Sequence, residues 1–210
     1  MVDAINVIVA GVGGQGNVLA SQMIALAAVE AGYHVTVGET FGASQRGGSV
    51  MSHVRLFPQD SLGPLIPRGK ADVVLGFEPM ETLRILSIYG NPNTKVVLNT
   101  RPTYPIKVLA GEQVYPELPR IIEGIKEHVK ETFVLNATNI ALSVGKPVVA
   151  NLVMVGALCG AKFLPLDRKC FYSAIHSYFD QKLIDINEKA FNLGIEELTK
   201  NTTSWAGSTL

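Results

Sequence analysis

The chain has 210 residues; 47% are hydrophobic, 17% are charged, and 18 Lys+Arg offset 18 Asp+Glu to a formal net charge of zero. Soluble chains are usually about a quarter charged, so this composition predicts a large buried core and a surface covered by another subunit, and near-neutrality itself favours association. The basic excess of a nucleic-acid binder is absent. Asp3 and an immediate strand stand where a signal peptide needs basic and apolar regions. The longest apolar stretch, residues 148–163, is too short and too glycine-rich to span a bilayer. We expect a cytoplasmic protein without membrane contact.

Continuous apolar, β-branched character over residues 5–10 predicts a buried strand. It runs into a glycine cluster, Gly11, Gly13, Gly14 and Gly16 around Gln15, and then into an Ala-, Leu- and Met-rich helix over 18–31, stopped by Gly32. A second strand is expected over 34–37. Residues 40–49 read as a polar, glycine-rich loop. Alternation over 51–57 predicts a strand with one solvated face, suited to an antiparallel sheet edge. Residues 58–70, with Pro64 and Pro67, form a long connection. The rhythm resumes with a strand over 71–76, a helix over 79–89, a turn over 90–93 and a strand over 95–98. Residues 101–116 contain Pro102, Pro105 and Pro116 and read as an irregular excursion with a short strand over 106–109. A helix over 117–130, a strand over 133–136 and a short helix over 137–144 follow.

The last third reads as helical, over 148–163, 167–179 and 182–200. Asp167 is placed to cap its helix, and Ile184, Phe191, Ile195 and Leu198 share one face of the last. Residues 201–210 are small and polar and read as a loose tail. Strands alternating with helices predict a three-layer α/β/α fold with a mostly parallel central sheet and a helical C-terminal third. We expect one domain over residues 1–200.

Two cysteines, Cys159 and Cys170, fit no zinc or iron–sulfur spacing and lie in apolar, helical stretches. They read as buried thiols of a reduced protein, so no metal site and no cluster is expected on this chain.

Gly11, Gly13 and Gly16 match G-x-G-x-x-G between a strand and a helix, and Glu39 at the end of the second strand is spaced for a ribose hydroxyl. That pattern implies NAD or FAD binding. Against it, the second strand runs into a glycine-rich loop with Arg46 rather than into a helix, and no His–Asp pair for hydride transfer is evident. The Gln15 amide, set inside the turn, is able to donate to an oxygen or to pin a neighbouring loop. A freestanding dinucleotide-binding oxidoreductase thus stays open, as does a purely structural interaction subunit.

The run Gly11–Gly16, the run Glu39–Ser49 and the run Ser52–Arg55 together resemble the small-subunit, or gamma-domain, family of the 2-oxoacid:ferredoxin oxidoreductases (pyruvate/ketoisovalerate type). Pro64–Pro67, Ala71–Val74, Phe77–Pro79, Asn99–Pro102 and Ala190–Gly194 extend the resemblance over nearly the whole chain and favour the indolepyruvate branch. The resemblance implies a subunit of a complex in which indolepyruvate or another arylpyruvate is oxidatively decarboxylated on thiamine diphosphate. Coenzyme A would collect the acyl group, and ferredoxin would take the electrons through the complex. It implies that this chain carries no cofactor, and that a large alpha subunit holds the thiamine diphosphate and the iron–sulfur clusters. A homodimer of the isolated chain stays open.

Candidate residues follow. Gly11, Gly13, Gly14, Gln15 and Gly16 present amides at a helix N-terminus, where an anion such as a coenzyme A phosphate is able to pass; turn geometry alone accounts for them equally well. Gln45, Arg46, Gly47, Gly48 and Ser49 offer a guanidinium on a bare loop, suited to a bidentate hold on phosphate or carboxylate or to an ion pair with Glu39 or the partner. Glu39, Glu78 and Asn99 are weaker candidates. The latter two stand just past buried strands, where open α/β sheets place their sites, although Glu78 also suits the start of the next helix. No catalytic residue is assigned. His53 reads as a half-exposed strand residue, and Gly156 and Gly160 read as allowing close helix packing.

Overall fold

The computed structural model describes residues 4–41, 48–59 and 63–205. The apolar run forms β1 (Ile5–Val12), and the first glycines end it before α1 (Asn17–Glu30). β2 (His34–Phe41) and β3 (Ser49–Phe57) follow, then β4 (Val73–Gly76), α2 (Pro79–Tyr89) and β5 (Lys95–Asn99). α3 (Ile106–Leu109), α4 (Leu118–His128), β6 (Glu131–Leu135) and α5 (Ala137–Ser143) lead to a 3-10 turn (Pro147–Val149). α6 (Ala150–Ala161), α7 (Arg168–Tyr178) and α8 (Gln181–Trp205) close the chain.

The six strands make one sheet in the order β2-β3-β1-β4-β5-β6. β1, β4, β5 and β6 are parallel neighbours, whereas β3 is antiparallel to both β1 and β2. The sheet therefore divides into a parallel half and an antiparallel hairpin. β3 is antiparallel as expected, but it is not the edge: β2 is. Sheltered between neighbours, β3 buries both faces, and its expected solvated face does not exist; Ser52 and His53 are 0% and 1% exposed.

Two cores flank the sheet. Val7, Val9, Leu75 and Val97 face α1 and α5 to α8, while Ile8, Ala10, Val74 and Leu98 face α2 and α4. The alternation of side chains along each strand sends β1 residues to both. The residues Leu152 to Val155 of α6 are all 0% exposed, and full burial of each such apolar side chain contributes about 1.5–3 kcal/mol. α6 meets α8 at backbone distance. A Cβ on Gly156 would stand 1.9 Å from the Phe191 carbonyl oxygen, and one on Gly194 would stand 2.0 Å from that of Val153. The packing role expected of Gly156 holds, and Phe191, Ile184 and Leu198 are buried along α8 with Ile195 packed beside them.

Four further expectations are corrected. Residues 106–109 form one helical turn rather than a strand, because Pro105 supplies the carbonyl that accepts from both Val108 and Leu109 N–H. β2 extends through Phe41, so Glu39 lies inside the strand, paired with Ser52, and not at its end. α8 continues to Trp205, five residues into the expected tail. Cys159 and Cys170 are half-buried rather than fully buried. The Asp167 cap is present, its carboxylate accepting from Cys170 N–H at 3.0 Å.

Candidate functional site

The parallel strands place their carboxyl ends, Val12, Gly76, Asn99 and Leu135, along one rim of the sheet. Because β3 is antiparallel, its first residue Ser49 falls on the same rim, in register with Val12. The two glycine clusters of the sequence are thereby neighbours: Gly13 N–H donates to the Gly48 carbonyl at 2.9 Å. Gln45, Arg46 and Gly47 lie outside the described residues.

The first turn is closed by a side chain. Gln15 Oε1 accepts from Val12 N–H at 2.7 Å, while its Nε2 donates to the Phe77 carbonyl at 3.3 Å and to Thr103 Oγ1 at 3.1 Å. The loop-pinning use of the Gln15 amide is the one observed. Gly11 is required beneath it, since a Cβ there would stand 2.6 Å from Gln15 Oε1 and 2.8 Å from Phe77 Cβ. Gly14 and Gly16 adopt φ of 100° and 85°, a region open to glycine at little cost. The amides of Val12, Gly13 and Gln15 are spent inside the protein. Those of Gly14 and Gly16, at the head of α1, have no acceptor among the described residues.

Asn99 joins the same network. Its Nδ2 donates to the Phe77 carbonyl at 3.1 Å, and its Oδ1 accepts from Ala137 N–H at 3.1 Å. Gln15 and Asn99 thus share one carbonyl, and β1, β4, β5 and α5 are bound together at the rim. Glu78 is 1% exposed. It caps α2, its Oε2 accepting from Glu81 N–H at 2.8 Å, with Pro79 at the first helical position. Its other oxygen accepts from Tyr115 OH and from Thr103 N–H. The helix-start role is therefore present, together with contacts to the loop after β5.

Glu39 is not brought to this rim network; it is exposed on β2, and β3 stands between it and β1. In a dinucleotide fold the acid-bearing strand adjoins the glycine strand. The inserted β3 removes that adjacency, and the strand order departs from the nucleotide-binding one.

His53 is buried, not half-exposed. Its Nδ1 accepts from Ile66 N–H at 3.3 Å, and its ring meets Tyr89 edge-on at 5.3 Å. Arg55 donates to the Gly63 carbonyl at 2.7 Å and to Asn6 Oδ1 at 3.0 Å. The Ser52–Arg55 and Pro64–Pro67 motifs are thus one structural clamp, with Pro64 packed on Gly38 of β2.

A model of the family "Pyruvate ferredoxin/flavodoxin oxidoreductase" matches residues 6–197. The chain belongs to this family. It is 42% identical to the indolepyruvate oxidoreductase subunit IorB of Archaeoglobus fulgidus, over 92% of this chain and 94% of that one. It is 39% identical to the subunit of the same name from Pyrococcus horikoshii, over 91% and 94%. Solved structures share the fold. The pyruvate oxidoreductase subunit PORC of Thermotoga maritima has a TM-score of 0.67 at 23% identity, over 92% of this chain and 96% of that one. A 2-oxoglutarate:ferredoxin oxidoreductase chain from Magnetococcus marinus gives 0.70 at 24%; this chain, 94% covered, spans 31% of that longer chain.

Within this oxidoreductase domain two residues of the rim were not legible in the sequence, Thr103 and Tyr115. Both sit in the proline-rich excursion, where no periodicity marks which side chain turns inward. Two thiols cannot supply the four thiolates of an iron–sulfur cluster. Burial pushes the Cys159 thiol up to about 11, which removes its thiolate at neutral pH. Among the described residues no group of three or more His, Cys, Asp and Glu side chains could hold a metal ion, and no helix there is long and apolar enough to cross a membrane.

Proposed function

We propose that this chain is the small subunit of an indolepyruvate-type 2-oxoacid:ferredoxin oxidoreductase. The observation that carries the reading is 42% identity to an indolepyruvate oxidoreductase subunit across 92% of the chain. The partner is a large alpha subunit bearing thiamine diphosphate and iron–sulfur clusters. Thiamine diphosphate supplies the electron sink for decarboxylation. This chain supplies a rigid wall. The rim network fixes the loops after β1, β4 and β5 against one another, so the site loses little entropy on closure and water is kept from the reacting centre. The free amides of Gly14 and Gly16, together with Arg46, two residues before Gly48 in the sequence, bind an anionic part of a co-substrate, for which coenzyme A phosphate is the best fit. Residues 1–200 act as one unit in this role, in the cytoplasm.

Co-expression with the large subunit tests the reading. The complex is expected to reduce ferredoxin only with an arylpyruvate and coenzyme A both present, and either subunit alone to be inactive. Full activity of the large subunit alone would leave this chain a scaffold. NAD(H) or FAD binding by the isolated chain would support the freestanding alternative.

A further inference from the structure

The excursion after β5 is a loop with little apolar anchorage. Tyr104, Leu109 and Val114 are 49%, 72% and 93% exposed. Beyond the packing of Tyr115 against the second core, polar contacts tie it down. Glu78, fixed at the head of α2, accepts from Tyr115 OH and from Thr103 N–H, and Thr103 in turn accepts from Gln15 at 3.1 Å. Tyr115 is braced by Tyr104, edge-on at 5.1 Å. Burial first, then the bond to Glu78, holds the Tyr115 phenol well above its ordinary range, so it remains a donor.

We infer that Glu78 is a positioning residue. Its carboxylate, through Tyr115, clasps the excursion to α2, sets Thr103 against Gln15, and so fixes the glycine turn from outside. A carboxylate this deeply buried is costly without partners. Three backbone or hydroxyl donors satisfy Glu78, and two of the three come from the excursion rather than from α2. A cap alone needs neither. The clasp stands on this chain's geometry alone; its effect on turnover rests on the reading given under Proposed function.

Tyr115→Phe removes the hydroxyl and keeps the ring, so the fold should survive. By hydrogen exchange on the full chain, peptides over 11–17 and 100–104 should exchange about tenfold faster, as expected for loss of one charge-assisted bond, with α8 unchanged. In the two-subunit complex, Tyr115→Phe should raise a co-substrate KM about fivefold with kcat held, and adding it to Gln15→Ala should cost nothing more, since both act through one contact. Glu78→Gln keeps one acceptor oxygen where the carboxylate has two, so it can serve Glu81 N–H or the Tyr115 and Thr103 donors but not both, and it should restore only part of what Glu78→Ala loses. Unchanged exchange in Tyr115→Phe, or fully multiplicative effects with Gln15→Ala, would overturn the inference. A wild-type complex inert toward arylpyruvates would refute the substrate assignment instead, and the exchange result would still decide the clasp.

Discussion

Gly13 donates its backbone N–H to the carbonyl of Gly48 at 2.9 Å. That bond joins the turn after β1 to the entry of β3, and it makes two separate stretches of sequence one rim. It also spends an amide that an anion would otherwise use. The candidate cradle is therefore narrower than the glycine count implies, and side chains close it on one flank.

Gly11 and Gln15 should behave as a unit. Gly11→Ala pushes a methyl onto Gln15 Oε1 and also onto Asn17 Oδ1 and Phe77 Cβ, so it should cost at least as much as the about 1–3 kcal/mol of Gln15→Ala, and the double variant should lose less than the sum of the two. Denaturant midpoints of the two variants and the double variant check this. Additive losses would show that Gly11 serves something other than the Gln15 amide.

Arg46 is proposed from its sequence setting. Arg46→Ala is expected to leave the chain folded and able to assemble, and to raise the coenzyme A KM about tenfold or more through loss of a charge-assisted contact. Arg46→Lys should recover only part, because a point charge replaces a fork. Wild-type kinetics in Arg46→Ala would remove the residue from the site.

The α6–α8 contact admits no side-chain growth at Gly156 or Gly194. Alanine at either would meet a carbonyl oxygen near 2 Å, and the helices would have to separate. We expect losses above about 3 kcal/mol, read as poor soluble yield or a sharply lower melting temperature. Gly160→Ala, whose Cβ would lie 3.1 Å from Ile195 Cα, should be clearly milder.

His53 predicts a pH dependence. Burial, aided by Arg55, holds its folded value below the ordinary 6.5. As pH falls through 6.5 the unfolded chain takes up a proton that the folded chain does not. Stability from this group is thus complete above 6.5 and is lost toward the lower, folded value. Protonation also ends the acceptance from Ile66 N–H. Urea midpoints at pH 7.5 and pH 5.5, in wild type and His53→Gln, should show a drop on acidification that the variant lacks.

Much of this was legible beforehand because it is local. Continuous apolar runs gave β1, β4 and β5, and Asp167 and Gly32 marked helix ends. Partnership across the sheet was not local. Alternation in 51–57 showed a strand but not that neighbours would cover both its faces, so His53 was expected near solvent. Pro105 read as a breaker in an excursion and instead starts the short helix over Ile106–Leu109. At the rim, Gln15 announced itself by standing inside a glycine turn. Thr103 and Tyr115 had no such context, since only the tertiary fold turns them toward Glu78.

The hairpin insertion carries a lesson for protein engineering. β2 reaches β1 only across β3, and two inter-strand steps of about 4.8 Å each separate a ribose-reading acid from the phosphate turn it would have to serve. No side-chain exchange bridges that gap. Converting this scaffold to use a nicotinamide coenzyme would require rethreading the hairpin, and glycine spacing by itself is a poor guide to which carrier molecule a chain accepts.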